Sequence, residues 1–214
     1  LMLPLGPYSG FVTAIANAIV YFTIYVSACL YRYGRGFISK QQIKFVWSYS
    51  SGGEWRLLAI AGLCDVLGQI LQFIGQPYVS VMVYQLMLQA QVPFTALWSA
   101  TLMHVKYVAI ELIGLLVVVL GSATAFMQLS KGGMSSTNIP MATLVCLSTA
   151  CTAMSFTLKE MVFRRYTAKY GDGLDIFVVN SGASVFSLCW SLPVSSFIEW
   201  LRQPDGFGER LEDG

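Results

Sequence analysis

Two apolar runs between Leu57 and Trp98, parted only by Gly75-Gln76-Pro77-Tyr78, constrain what this chain can fold into more than any other feature. Each is long enough to cross a bilayer, since about 20 residues of helix at ~1.5 Å rise span the ~30 Å hydrocarbon core. The pair reads as a transmembrane hairpin. In its first arm Asp65, Gln69 and Gln72 recur at steps of four and three, which stacks them on one helical face, and Asp65 falls near mid-span. A charge at the bilayer centre costs about 2.5–3.5 kcal/mol on insertion scales, so this carboxylate is expected to face protein or water. The second arm answers with Gln85 and Gln89 at a step of four, followed by Pro93. Proline removes a backbone donor and frees a carbonyl, so a helix kink is expected there. Facing polar stripes of this kind predict a substrate path. For the glutamines a second reading stays open, because side-chain hydrogen bonds of about 0.6–2 kcal/mol also hold membrane helices together. For Asp65 the functional reading leads, since an intramembrane ionisable group points first to function.

The rest of the composition agrees. Of 214 residues, 56% are hydrophobic and 11% are charged, whereas a soluble domain carries about 25% charged residues. The expectation is an all-α, polytopic integral membrane protein whose surroundings are a lipid bilayer. A formal charge of +2, with no interleaved basic and aromatic patch, argues against nucleic acid. The cysteines Cys29, Cys64, Cys146, Cys151 and Cys189 form no Cys-x-x-Cys pair and read as small core hydrophobes. His104 stands in a turn without a carboxylate or cysteine nearby in sequence. With no metal-ligand pair, nucleophile elbow or phosphate loop, the chain is read as neither an enzyme nor a binder of a metal or cofactor. Transport would then be facilitated or ion-coupled, and Asp65 is the mid-membrane group that could carry a coupling proton. The chain opens Leu-Met-Leu-Pro without an initiator methionine or leader, and is read as a fragment.

Six spans are expected, at about 11–31, 57–74, 79–103, 107–129, 139–160 and 175–198, forming one partial transmembrane domain over 1–214. The first carries Thr13, Asn17, Tyr21 and Tyr25 at steps of four. Between it and the hairpin, Phe37 to Trp47 could lie along the interface as a short amphipathic helix. The fourth span is almost wholly apolar, with Gly114 and Gly121 as packing surface, and reads as a lipid-facing buttress. The fifth carries Ser148, Thr152, Ser155 and Lys159 at steps of four, three and four; the sixth carries Asn180, Ser184, Ser187 and Ser191. The expected path residues are Asp65, Gln69, Gln72, Gln85, Gln89, Asn17, Tyr21, Asn180 and Ser155. Alternate connections share a side, which gives ten cations to one side and only Lys131, Arg202 and Arg210 to the other. By the positive-inside rule the richer side is cytoplasmic.

Four blocks then carry a resemblance: Leu63-Cys-Asp-Val-Leu-Gly-Gln-Ile-Leu-Gln-Phe-Ile-Gly75, Leu88-Gln-Ala-Gln-Val-Pro93, Lys159-Glu-Met-Val-Phe-Arg-Arg-Tyr166 and Leu174-Asp-Ile-Phe-Val-Val-Asn180. In this order and spacing the chain, from about Phe11 to Leu192, resembles the chloroquine-resistance-transporter-like family of the drug/metabolite transporter superfamily. The resemblance implies ten helices in two inverted five-helix repeats around a central cavity, with this chain holding the first repeat and the start of the second. It also implies a secondary carrier of small organic solutes across an organelle membrane, a plastid envelope or a vacuole. The implied solutes are thiol peptides such as glutathione and γ-glutamylcysteine, amino acids, small peptides or cationic drugs. Asp65, Gln89, Pro93, Glu160, Asp175 and Asn180 fall on matching positions. Arg32 and Tyr33 fall in the family's first-helix specificity segment, where Tyr33 replaces a lysine. The family's cytosolic termini run opposite to the charge count. The alternative is a non-transporting membrane receptor or assembly subunit.

Overall fold

A computed structural model describes residues 9–48, 54–130 and 139–202, and among them every regular element is helical. In chain order these are α1 (Ser9–Gly34), α2 (Lys40–Trp47), α3 (Trp55–Gly75), a 3₁₀ turn (Gln76–Tyr78), α4 (Val81–Leu88), α5 (Gln91–Leu102), α6 (Ala109–Ser130), α7 (Ile139–Tyr170) and α8 (Ile176–Arg202). The stretches Val12–Gly34, Trp55–Tyr78, Pro140–Tyr170 and Ile176–Ser196 are long and apolar enough to cross a membrane, and α6 adds a shorter apolar helix, Ala109–Thr124. This is a polytopic, all-helical membrane protein. Lys131 and Arg210 lie outside the described residues.

α3 is the hub, packed against α7 on one side and α8 on the other, with α1 closing on α8 and α5 on α7. Small residues let it serve two neighbours. A Cβ at Gly62 would sit 2.8 Å from the Ser187 backbone nitrogen on α8, and one at Gly68 would sit 2.5 Å from Thr152 Cγ2 on α7. Membrane helices gain little from burying apolar surface against lipid-like surroundings, so close backbone approach through small residues is what brings them together. α6 shows the opposite pattern. Its Ile110, Ile113, Leu116 and Val117 are exposed, and a Cβ at Gly114 or Gly121 would meet nothing within 4 Å.

The third expected span, 79–103, is two helices rather than one. The break falls at Gln89 and Ala90, a turn before Pro93. A proline has no N–H to donate and its ring crowds the carbonyl four residues earlier, here that of Gln89. That carbonyl instead accepts the Val92 N–H at 3.1 Å, while Gln89 and Ala90 donate to Leu86 and Met87 at 3.2 and 3.1 Å. The chain tightens into i→i+3 bonds and re-aims α5.

The fifth span also differs, because α7 runs on to Tyr170 instead of ending near 160. Leu158, Val162 and Tyr166, at steps of four, are all buried, and the last two join α2 and α8 in one apolar cluster with Phe45, Leu58 and Val178. Charges flank that stripe rather than ending the helix: Arg164 pairs with Glu160 at 2.7 Å, and Arg165 reaches Glu54 at 3.0 Å. α2 docks on the same cluster through Phe45 and Val46, with Ser39 accepting the Gln42 N–H at 3.3 Å as its cap.

Candidate functional site

Four helices meet around a cavity of about 270 Å³. α1 contributes Tyr21 and Tyr25, one turn apart, with ring planes 9° from parallel and centres 6.0 Å apart. α3 contributes Asp65 and Gln69, α7 contributes Thr152, Phe156 and Lys159, and α8 contributes Asn180, Ser184 and Ser187. Each helix therefore presents one polar stripe to the same space. The stripes exist because residues three or four apart share a helical face, while the remaining faces are apolar and meet lipid or other helices.

The strongest feature of the cavity is an ion pair. Lys159 Nζ lies 2.6 Å from Asp65 Oδ2, and the two side chains are only 14% and 18% exposed. The ammonium also stands 5.4 Å from the centre of the Phe156 ring, close enough for a cation–π contact. A charge-assisted bond of this kind is short and strong, and it leaves the pair neutral as a unit. Neutrality is how a carboxylate can be tolerated at this depth. Removing either partner would leave an uncompensated buried charge, a change that typically costs about 3–5 kcal/mol.

Of the residues the sequence assigns to the path, Asp65, Gln69, Tyr21 and Asn180 line the cavity. Gln72, a turn beyond Gln69, donates through Nε2 to the Tyr84 hydroxyl at 2.6 Å and so ties α3 to α4. That is the helix-joining role. Gln85 and Gln89 are exposed at α4, outside the lining, and Asn17 is half-buried one turn before Tyr21. Ser155 is fully buried in α7, and its Oγ has no hydrogen-bond partner among the described residues.

Arg32 is held at one end of the bundle. Its Nε and Nη2 reach Asp175 Oδ2 at 2.9 and 2.8 Å, and its guanidinium lies 5.4 and 5.3 Å from the ring centres of Phe37 and Phe177. Asp175 Oδ1 meanwhile accepts the Phe177 N–H at 2.9 Å, capping the start of α8. Tyr33 beside it is exposed. Both lie away from the cavity lining.

Lys159 is the principal cavity residue outside the expected set. With the fifth span ending near 160 it stands at the membrane edge, where a lysine needs no explanation. Because α7 continues to Tyr170, it lies eleven residues, or about 16 Å of helix, inside the end of α7. Tyr25, Thr152, Ser184 and Ser187 also join the lining, and their signal was the same three- and four-residue spacing that marks Tyr21 and Asn180.

Among the described residues no group of three His, Cys, Asp or Glu side chains could hold a metal ion. A search of curated proteins finds no match to the chain. A family model, described as CRT-like, chloroquine-resistance transporter-like, matches residues 1–208.

Proposed function

Because the chain belongs to the chloroquine-resistance transporter-like family, a family of membrane transporters, we propose that it is a secondary carrier of small organic solutes whose path is the cavity between α1, α3, α7 and α8. The observation that carries this reading is the Lys159–Asp65 pair on the cavity wall. An apolar pair of similar volume would commonly be as stable as a buried ion pair or more so. Charges at this site are thus better explained by charged cargo than by packing.

The chemistry suits solutes that carry both signs. A solute carboxylate can replace Asp65 at the Lys159 ammonium, while a solute amine can take Asp65 beside the Tyr21 and Tyr25 rings, and Gln69 and Asn180 offer neutral donors and acceptors. The volume of about 270 Å³ is just under the ~300–1,000 Å³ typical of small-molecule sites. It fits amino acids and small peptides, with glutathione and γ-glutamylcysteine as leading solutes and compact cationic drugs as a second group. When a solute takes Lys159, Asp65 loses its counter-ion and becomes the place where a coupled proton can sit. In this reading the chain supplies one repeat of an inverted-repeat carrier in an organelle membrane, a plastid envelope or a vacuole.

The test is uptake of labelled glutathione, a neutral amino acid and a cationic amine by vesicles containing the full-length gene product. Saturable uptake of at least one solute, abolished at matched abundance by Asp65→Asn/Lys159→Gln, supports the reading. Saturable binding without flux would assign the cavity to a receptor or assembly subunit instead.

A further inference from the structure

At the end of the bundle where α1 finishes and α3 begins, Arg32, Arg164 and Arg165 are bound to Asp175, Glu160 and Glu54. Arg35, Lys40, Lys44, Arg56 and Lys169 are exposed there, and none joins an ion pair among the described residues. α2 gathers them. Its Gln42 donates to the Gly173 carbonyl in the turn between α7 and α8 at 3.3 Å, and Lys169 Nζ lies 5.7 Å from the centre of the Phe45 ring. Trp47 and Trp55 both stack on Phe186, at 5.8 and 6.4 Å, which brings Arg56 to the C-terminal end of α2.

The two sides of α2 differ in kind. Phe45 and Val46 are buried against α3, α7 and α8. Lys40, Lys44 and Trp47 follow at steps of four and three, one helical face; all three are exposed, Trp47 with one side of its ring against Phe186. Ammonium groups beside a half-exposed indole suit the headgroup layer of a bilayer, with the charges at the phosphates and the ring at the acyl boundary. Ile24 and Leu30, in the second half of α1 on the way to this end of the bundle, are exposed apolar side chains as well. A soluble polyanion would meet the cations but leave the exposed parts of the Trp47 and Phe37 rings against water.

We propose that the outer face of α2, with Arg56 and Lys169 beside it, is a docking surface for anionic phospholipid headgroups in the leaflet on this side. Nothing in this depends on transport. Each lysine or arginine near an anionic leaflet strengthens association roughly fivefold, and salt screens the effect as the Debye length shrinks from ~10 Å at 0.1 M to ~3 Å at 1 M.

The experiment places the full-length gene product in vesicles of phosphatidylcholine mixed with brominated phosphatidylglycerol or brominated phosphatidylcholine, and compares quenching of tryptophan fluorescence. The expected result is a relative association constant favouring phosphatidylglycerol by roughly fivefold or more. It should fall towards one in 1 M salt and in Lys40→Gln/Lys44→Gln, and Trp47→Phe should remove much of the selective quenching. Equal quenching by the two lipids would overturn the proposal, as would a preference that survives both the double variant and high salt. Polyglutamate binding to the protein in phosphatidylcholine vesicles, without any lipid preference, would assign the face to an acidic protein and overturn it equally. The salt comparison uses the unaltered protein, so a variant that fails to fold does not remove the test.

Discussion

Asp65 and Lys159 stand on different helices and meet at 2.6 Å, and each explains why the other can be where it is. Lys159→Met should lower the stability of the purified protein by about 3–5 kcal/mol, because it strands the Asp65 carboxylate. The Asp65→Asn/Lys159→Met double variant should recover most of that loss, since no charge is left unpaired. A double-mutant cycle of thermal melts in detergent measures this, and a double variant no more stable than Lys159→Met would contradict the pairing. Asp65 was legible from sequence because a lone carboxylate in an apolar run has few harmless explanations. Lys159 stood on the fifth span's polar stripe, but near the expected end of that span a lysine needs no buried partner, so the pairing was not legible. The two readings of the glutamines divide by residue: Gln69 lines the cavity, while Gln72 bonds Tyr84. Tyr84→Phe should therefore cost about 0.6–1.7 kcal/mol and leave solute uptake intact, which a melt and an uptake assay on the same preparation would check.

For whole helices, apolar length was the reliable signal and helix ends were not. The stretches that became α1, α3 and α8 are plain in the sequence, but the third span divides because Pro93 disturbs the backbone a turn earlier. Equally, α7 outlasts its apolar run because Val162 and Tyr166 continue the buried stripe beneath Arg164 and Arg165. A hydropathy window sees those arginines and stops; the four-residue stride of the buried side chains does not. Which helix sits at the centre was also hidden, since it follows from how closely α3 approaches its neighbours at Gly62 and Gly68 rather than from its hydropathy. Gly68→Ala pushes a methyl to 2.5 Å from Thr152 Cγ2 and 3.2 Å from the Ser148 carbonyl. Overpacking of this kind costs about 1–3 kcal/mol, so its melting temperature should fall. Gly114→Ala, with nothing within 4 Å, should leave it unchanged, and the contrast between the two melts tests the assignment of α3 as hub.

At the scale of the molecule, four polar stripes on four helices converge on one cavity, where Lys159–Asp65 joins α7 to α3, while Arg32–Asp175 and Arg165–Glu54 tie the chain together at one end of the bundle. The stripes were legible one at a time; their convergence required the bundle. Gln85 and Gln89 remain exposed at α4, and in a membrane such amides need water or protein beside them. The inverted-repeat reading supplies that cover with a second repeat, so residues 1–214 expressed alone should show no solute flux in vesicles. Robust uptake by that piece would contradict the architecture proposed here. In the proposed mechanism the paired charges in the cavity move solute. It is tested most directly by measuring glutathione and amino-acid uptake against pH for the full-length protein and its Asp65→Asn variant at matched membrane abundance. The expected result is a variant that is less stable, with Lys159 left unpaired, and that at matched abundance loses the pH dependence or most of the uptake; identical pH profiles would remove Asp65 from the mechanism.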